Sequence, residues 1–414
     1  MQARSPISPA GRPLGFAETF LQRFHDDLDG GLVTVAMARL NRLPSVGEIQ
    51  TAARKAVRRH PLLRMRIEIG AGGRPAFRED PEAGDISPVA AEGAPQEVFE
   101  RLIGAPLPPD GPLRELHVLA GPRPHLFLKI HHAIADGLAA RSLLNEILAV
   151  AEGAEQGPPP PLRPCVEELT ARSRESFAEP LPPPSGAEPW RFTDRAPLAE
   201  RRCRAVFRET PARPLATRAH QAGLTVNGLL LAALVRSVRD LRGFPAAFPV
   251  VLPVGVRNRL DPAIPGEEMG CLIGNAVVAV DAALAAAPSV KAAPLLARQL
   301  AHAVAAEITG PASFSAADVD AAVAPFADPA RDHFVFPLAL SNIGLDPAPS
   351  PLVEASWFGA SVRPGHLGVL AAVATTGDNL CLAFHFAEPL VPASAVERFA
   401  DRVAGELSGK AGPV

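Results

Sequence analysis

A proline-rich stretch near the middle of the chain limits the possible folds more than any other sequence feature. Prolines crowd residues 153–189 and form the runs PPPP at 158–161 and PPP at 182–184. Proline fixes one backbone dihedral and removes a hydrogen-bond donor, so these runs cannot build a helix interior or a central strand. The sequence therefore predicts an extended, semi-rigid crossover over residues 153–189, between an N-terminal half, 1–152, and a C-terminal half, 190–414.

Each half is long enough to bury its own core. The chain has 414 residues, of which 47% are hydrophobic and 21% charged, as in ordinary globular proteins. Strand and helix patterns alternate over residues 16–150. In the C-terminal half strands are predicted at 203–210, 248–256, 334–342, 367–375 and 380–386, and helices at 215–222, 226–241, 294–308 and 393–407. This mixture predicts two α+β domains, with helices covering one face of the strands.

Two prolines refine these predictions. Pro294 is acceptable in the first turn of the helix predicted at 294–308. Pro337 lies inside the strand predicted at 334–342 and therefore indicates an edge strand or a bulge. The turn sequence TGDN at 376–379 separates two alternating segments and predicts a hairpin.

Charge and cysteine usage exclude several classes of function. The net charge is −3, and acidic residues and arginines are interspersed without a basic stripe, so nucleic acid is not expected as a partner. The four cysteines, at 165, 203, 271 and 381, form no CxxC pair, which argues against structural zinc and a disulfide scaffold and fits a reducing cytoplasm. The N-terminal residues lack the apolar core of a signal peptide. Apolar runs such as 229–235 are far shorter than the roughly 20 residues that span a bilayer, so membrane insertion is not expected.

The sequence HHAIADG at 131–137 is the most informative stretch for function. It follows a predicted strand at 125–130 and precedes a predicted helix at 138–150, which is a good position for holding an imidazole rigidly. A neutral imidazole, with an ordinary pKa of about 6.5, can take a proton from an alcohol or amine. Asp136 is expected to point away from the His132 ring, toward a buried arginine that would brace the loop. Gly137 would let the backbone turn closely or give a ligand room.

The individual parts of this pattern are common in unrelated contexts. An isolated pair of histidines is usually accidental, and a lone Asp-Gly is usually a turn. The whole pattern between a strand and a helix is much more specific, so the sequence favours a catalytic role.

HHAIADG resembles the HHxxxDG signature of the CoA-dependent acyltransferase superfamily. This group includes nonribosomal-peptide condensation domains, wax-ester and diacylglycerol synthases, polyketide-associated acyltransferases and chloramphenicol acetyltransferase. The resemblance covers nearly the full length. Residues 52–66 are similar to an early helix ending in RHPxLR, 225–234 to TxNDxLLAAL with glycine at 228 where an acid is commoner, 253–257 to PVNLR, and 272–275 to the GN strand. SNIG at 341–344 stands where other branches carry DFGWG, which is absent here.

The resemblance implies a fold of two chloramphenicol-acetyltransferase-like domains with a tunnel between them. It makes His132 the general base, at the middle of the tunnel, while His131 supports the motif and Gly137 completes it. Asp136 becomes structural, with Arg257 as its salt-bridge partner.

Three further assignments are less specific. Arg259 is an alternative partner for Asp136, because it lies two residues after Arg257 and would face the same side of a strand. Asn342 and Ser341 are assigned to substrate binding, where Asn342 would orient the substrate or polarise its carbonyl group. Thr225 is interpreted as a helix N-cap.

The implied activity is transfer of an acyl group from a pantetheine thioester to an alcohol or amine acceptor. The donor would be an acyl-CoA or a phosphopantetheinyl carrier protein, either acyl or peptidyl, and no bound cofactor or metal is expected. Two alternatives stay open. One is a non-catalytic, condensation-like recruitment module, and the other is a lipid acyltransferase of the wax-ester or diacylglycerol synthase type.

Overall fold

The fold is a mixed α+β arrangement built around two large β-sheets, which confirms the predicted fold class. The computed structural model describes residues 11–28, 30–70, 74–80, 83, 86–108, 111–171, 187–194, 196–197, 200–287, 289–305, 309–328, 330–362 and 367–409. Three sheets are present in these residues, with five, six and three strands.

The five-stranded sheet is the centre of the N-terminal half. Its strand order is β12-β2-β7-β6-β5, and a three-stranded sheet, β1-β4-β3, lies beside it. The elements before the crossover are β1 (Gly11–Pro13), α1 (Phe16–Asp27), β2 (Val33–Leu40), α2 (Val46–Arg59), a 3-10 turn (Pro61–Arg64), β3 (Met65–Ile69), β4 (Pro75–Glu79), β5 (Val89–Ala90), α3 (Pro95–Ile103), β6 (Arg114–Leu119), β7 (His125–His131) and α4 (Gly137–Ala151).

The six-stranded sheet is the centre of the C-terminal half, with the order β10-β9-β11-β13-β14-β8. The elements from the crossover onward are α5 (Val166–Ala171), β8 (Arg202–Pro211), α6 (Ala212–Gln221), α7 (Val226–Ser237), a 3-10 turn (Val238–Asp240), β9 (Phe248–Gly255), a 3-10 turn (Arg257–Arg259), β10 (Ile273–Val280), α8 (Ala282–Ala286), α9 (Ser289–Ala305), α10 (Ala316–Ala327), β11 (Phe336–Leu345), β12 (Val353–Ala360), β13 (Leu367–Thr376), β14 (Asn379–Glu388) and α11 (Ala393–Ser408).

One strand of the C-terminal half completes the sheet of the N-terminal half. Strand β12 pairs antiparallel with β2 along its length, with Trp357 opposite Met37 and Ala360 opposite Thr34. The halves delimited by the crossover are therefore joined by a continuous backbone ladder. The division at 153–189 stays a prediction from sequence, and in the structure β12 crosses it.

The five-stranded sheet buries both of its faces. Along β2, Ala36 and Ala38 face the core of the N-terminal half, whereas Val35 and Met37 belong to a core that continues into the C-terminal sheet. This alternation follows from the two-residue period of a strand. Helix α3 lies between the two sheets, and its Phe99 ring packs edge-on against Phe207 of β8 at 5.1 Å.

The structure corrects two proline assignments. Pro337 is not in an edge strand, because β11 lies between β9 and β13. It is the second residue of β11, where pairing with β9 has not yet begun, so its missing N–H is not needed there. Pro294 is not in the first turn of its helix, because α9 begins five residues earlier, at Ser289.

Other sequence predictions agree with the structure within a few residues. The hairpin is confirmed, with β13 and β14 joined at Gly377 and Asp378. The crossover contains the short helix α5, and residues 172–186 lie outside the described residues. The four cysteines are buried and carry no disulfide bond.

No single helix among the described residues is long and apolar enough to cross a membrane. Helix α6 together with the segment Val226–Asp240 meets the length and composition required, but the two are bent by 100° relative to each other.

Candidate active site

The HHAIADG segment connects the end of β7 to the beginning of α4. His131 is the last residue of β7 and pairs with Val33 of β2. The next residues turn tightly, because the amide of Ile134 donates to the carbonyl of His131 at 3.1 Å. The amide of Asp136 then donates to the carbonyl of Gly270 at 3.1 Å, which ties the loop to the C-terminal half. The motif is therefore held by a strand, a helix and a segment more than a hundred residues away.

The His132 ring is half-buried and has its Nδ1 atom turned into the protein. Nδ1 lies 3.6 Å from the Sγ atom of Cys271. Burial lowers the pKa of His132 below the ordinary value. The neutral form of His132 is thus favoured at pH 7.

His131 is buried and supports the loop from behind. Its Nδ1 accepts a hydrogen bond from the amide of Ala133 at 3.2 Å, and its ring packs on His25 at 4.9 Å between centroids. His25 is itself fixed, because its Nε2 accepts from the amide of Leu107 at 3.1 Å. Burial, with a smaller effect of the neighbouring histidines, lowers the pKa of His131 to about 3. The ring is a neutral part of the core, as a supporting role requires.

Stability is expected to fall between pH 6.5 and pH 4, because His131 and His385 are buried as neutral rings. Burial lowers the pKa of His385, on β14, to about 4. The unfolded chain takes up protons below about pH 6.5, while the folded protein does not, so each ring removes up to about 1.4 kcal/mol per pH unit. Urea unfolding at pH 7, 6 and 5 measures this slope. The variant His385→Asn should have a shallower slope, and an unchanged slope would contradict the assignment.

Asp136 is the N-cap of α4 and the partner of a buried arginine. Its Oδ1 accepts from the amide of Ala139 at 2.9 Å, and its Oδ2 accepts from Nη2 of Arg257 at 2.8 Å and from the amide of Leu272 at 3.1 Å. Both charged side chains are 4% exposed. The remaining guanidinium bonds go to the carbonyls of Glu268 and Gly270, each at 3.1 Å. Asp136 therefore connects the two halves and does not contact the His132 ring.

The 3-10 turn after β9 explains why Arg257, and not Arg259, reaches Asp136. The prediction that both arginines share one face of a strand was wrong, because β9 ends at Gly255. In the turn, Arg257 is buried and Arg259 is half-buried. The crossover braces this region, since Arg163 forms two 2.8 Å bonds to the carboxylate of Glu268.

Gly137 is required by a close approach to β12. A Cβ atom at this position would lie 2.6 Å from the ring of Phe358 and 3.4 Å from Ile343. This contact with Phe358 is a third reason for glycine at position 137, and the two roles expected from the sequence, a close backbone turn or room for a ligand, stay predictions. Any side chain here would push β12 away from α4.

The segment 341–344 lies on β11, next to the beginning of α4. Asn342 is half-buried, and both ends of its amide are bonded: Nδ2 donates to the side chain of Asn227, and Oδ1 accepts from the amide of Gly344 at 2.9 Å. The carbonyl of Gly344 in turn accepts from Arg141 of α4 at 2.9 Å. Ser341 is half-buried beside Asn342 on the same strand. Their roles in substrate binding stay predictions.

Two residues of this site, Cys271 and Phe358, were not predicted from the sequence. Cys271 was taken only as one of four scattered cysteines, although it contacts the proposed base, and Phe358 was not noticed at all. The only sequence feature that pointed to Cys271 was the GN strand that follows it, because that strand comes shortly after Arg257 in the sequence. Thr225, by contrast, is confirmed as an N-cap, since the amide of Gly228 donates to its hydroxyl at 3.1 Å. No cluster of three metal-binding side chains occurs in the described residues.

Two family models match consecutive parts of the chain. The model described as wax ester synthase/diacylglycerol acyltransferase catalytic domain matches residues 87–182, which include the HHAIADG segment. The model described as phthiocerol/phthiodiolone dimycocerosyl transferase C-terminus matches residues 196–352, which include Arg257. No curated protein sequence matches the chain.

Solved structures match the fold over nearly the whole chain. Polyketide synthase associated protein 5 from Mycobacterium tuberculosis has a TM-score of 0.64 at 18% identity, covering 96% of this chain and 98% of the other. The condensation domain of monacolin K polyketide synthase has a TM-score of 0.66 at 13% identity and 98% coverage of both chains. The first condensation domain of the CDA synthetase has a TM-score of 0.62 at 15% identity and 97% coverage of both chains.

Proposed function

We propose that this chain transfers an acyl group from a pantetheine thioester to a hydroxyl or amine acceptor. The proposal starts from its membership of the superfamily of condensation-domain-like acyltransferases. The single observation that carries the proposal is the His132 ring. Burial favours its neutral form, and the ring stands at a loop braced by the Asp136–Arg257 pair. Because Nδ1 lies against Cys271, we assign the role of proton acceptor to Nε2. A neutral imidazole held in this way is a general base.

The mechanism follows from the assignment of Nε2 as the proton acceptor. Nε2 of His132 takes the proton of the acceptor hydroxyl or amine while the acceptor oxygen or nitrogen forms a bond to the thioester carbonyl carbon. The C–S bond then breaks, and the leaving thiolate takes the proton back from the imidazolium. No covalent acyl-enzyme is required, and much of the rate gain comes from holding the donor and acceptor in line.

The match of residues 87–182 to wax ester synthases favours a lipid-type reaction as a second candidate. This reaction would use the same base but would prefer long-chain alcohols as acceptors. A recruitment module, the other alternative, would need no basic nitrogen at this position. The fixed neutral ring of His132 therefore supports an enzyme over a docking module.

Thiol release is the experiment that tests the proposed activity. The full chain would be incubated with acyl-CoAs from acetyl to palmitoyl, each with short-chain and long-chain alcohols and with amines, and free thiol would be measured. We expect acceptor-dependent release with at least one donor, and a preference for long-chain alcohols would select the lipid reaction. If neither CoA nor carrier-protein thioesters release thiol with any acceptor, the recruitment module replaces the enzyme.

Replacement of Cys271 is expected to change the pKa of His132, because its Sγ atom lies 3.6 Å from Nδ1. A serine hydroxyl accepts a hydrogen bond from Nδ1–H better than a thiol and stabilises the imidazolium, so Cys271→Ser should raise the pKa of His132. The acid limb of the activity profile, plotted as kcat/KM against pH, should then move to higher pH. Removal of the contact in Cys271→Ala should lower kcat without moving the acid limb of the profile to higher pH.

Cys203, which is buried in β8, provides the matched control for this comparison. Cys203→Ser should cost stability but leave the acid limb in place. If Cys271→Ser and Cys203→Ser give the same pH profile, the contact with His132 has no influence on the base.

A further inference from the structure

A cavity of about 480 Å³ opens at the C-terminal end of α7, and the proposed reaction does not use it. It is formed by the end of α7, the 3-10 turn that follows, the loop 241–246 and helix α8. Phe244 in this loop contacts Phe248, the first residue of β9, at 4.8 Å. Arg257 follows the other end of β9, and eight residues of strand span roughly 25 Å. The cavity is therefore well separated from His132.

The charges that line the cavity are all positive. They are the arginines at 236, 239 and 242, and no acidic residue is among the described residues of the lining. Arg236 has a carboxylate partner at 3.2 Å. In the part of the chain that the structure describes, Arg239 and Arg242 have none. Asp240 lies between them in sequence but faces Arg402, whose Nη2 donates to it at 2.8 Å. Both of these arginines are exposed to solvent, so their guanidinium groups are hydrated and accessible to an anion.

The remaining lining of the cavity is apolar. Val235, Val238 and Leu241 are buried on one side, the half-buried ring of Phe244 lies beside them, and alanines of α8 form the opposite side. Alanine side chains leave space, and the volume lies within the range typical of small-molecule sites. A ligand complementary to this lining would carry both a negative charge and an apolar part.

We propose that this cavity binds an amphipathic anion, a small molecule with one carboxylate or phosphate group and a short hydrocarbon chain. The anionic group lies between Arg239 and Arg242, where guanidinium groups bond carboxylates and phosphates through two N–H groups. The hydrocarbon chain lies against Val238 and Phe244. The site is separate from the proposed acyl transfer and does not depend on it.

Trp190 is a built-in reporter for this site. Its Nε1 donates to the carbonyl of Arg242 at 3.2 Å, and its ring packs on Phe244 at 4.8 Å. The chain has two tryptophans, so Trp357→Phe leaves Trp190 as the only one. Titration of this variant with sodium decanoate or decyl phosphate should give a saturable change in tryptophan emission. Decanol, which lacks the charge, and inorganic phosphate, which lacks the chain, should give none at the same concentrations.

Removal of the positive charges of Arg239 and Arg242 tests whether the anion binds in this cavity. In the Trp357→Phe background, Arg239→Gln combined with Arg242→Gln should weaken binding of the anion by about tenfold or more. Arg213→Gln is the matched control, because Arg213 lies on α6 and its side chain is 89% exposed. Far-UV circular dichroism and the thermal midpoint verify that each variant is folded.

Three outcomes would overturn the proposal. The first is no emission change with either anion up to its solubility limit. The second is equal affinity in the double variant and the Arg213→Gln control, which would place the anion elsewhere. The third is equal binding of decanol, which would make the site merely apolar. The reporter and all three variants lie outside the catalytic loop, so failure here leaves the proposed acyl transfer untouched.

Discussion

Replacement of His132 by alanine is expected to lower kcat by roughly two to four orders of magnitude, because the acceptor loses its general base. The fold should persist, since the ring is only half-buried and its 3.6 Å approach to Cys271 is a weak contact. Initial rates of thiol release, measured with the best donor and acceptor of the wild type, give the loss in kcat. The urea midpoint measured in parallel separates a loss of activity from a loss of structure.

Two further variants sharpen this result. His132→Gln fills the space of the ring and can still donate a hydrogen bond but cannot take a proton at neutral pH, so it should be as inactive as alanine. His220→Ala removes an exposed histidine of α6 and should leave turnover unchanged. Wild-type turnover in either His132 variant would rule out the proposed mechanism.

Replacement of Asp136 by alanine is expected to lower the free energy of unfolding by about 3–5 kcal/mol. It leaves the guanidinium of Arg257 buried at 4% exposure without its carboxylate and frees the amide of Leu272. It also removes the cap of α4. Urea unfolding at pH 7 measures the loss. Activity should fall together with stability, because the loop that carries His132 loses its anchor to the C-terminal half.

Asp281 provides a matched control for the cap alone. It is the N-cap of α8 and accepts from the amide of Leu284 at 2.7 Å without a buried arginine beside it. Asp281→Ala should therefore cost only about 1 kcal/mol. Removal of both charges, in Asp136→Ala with Arg257→Leu, should recover part of the larger loss. Equal losses in Asp136→Ala and Asp281→Ala would show that the ion pair contributes nothing.

Local patterns were sufficient to predict the elements around the motif. The strand predicted at 125–130 and the helix predicted at 138–150 end within one residue of β7 and α4. The strand is largely apolar, and the helix repeats apolar residues at helical spacing. The contact between Asp136 and Arg257 could not be predicted from local patterns, because 121 residues separate the two partners in the sequence. It was named through the family resemblance and could not have followed from local chemistry.

Long-range packing explains what the sequence did not predict. Strand β12 is buried on both faces for most of its length, so it shows no alternation of polar and apolar residues. The glycine at 228 looked like a departure from the family pattern. In the structure a Cβ atom there would lie 2.8 Å from that of Ala297, so helix packing between α7 and α9 leaves room only for glycine. Such contacts depend on residues far away in the sequence.

The pairing of β12 with β2 also has a consequence for synthesis on the ribosome. Until residue 360 has been made, the backbone N–H and C=O groups of β2 lie along an open edge, to which any other extended chain can add. The first sheet can thus be finished only after most of the second half has been translated. A fragment cut at the proline-rich crossover would lack β12 and would leave this edge of β2 unpaired.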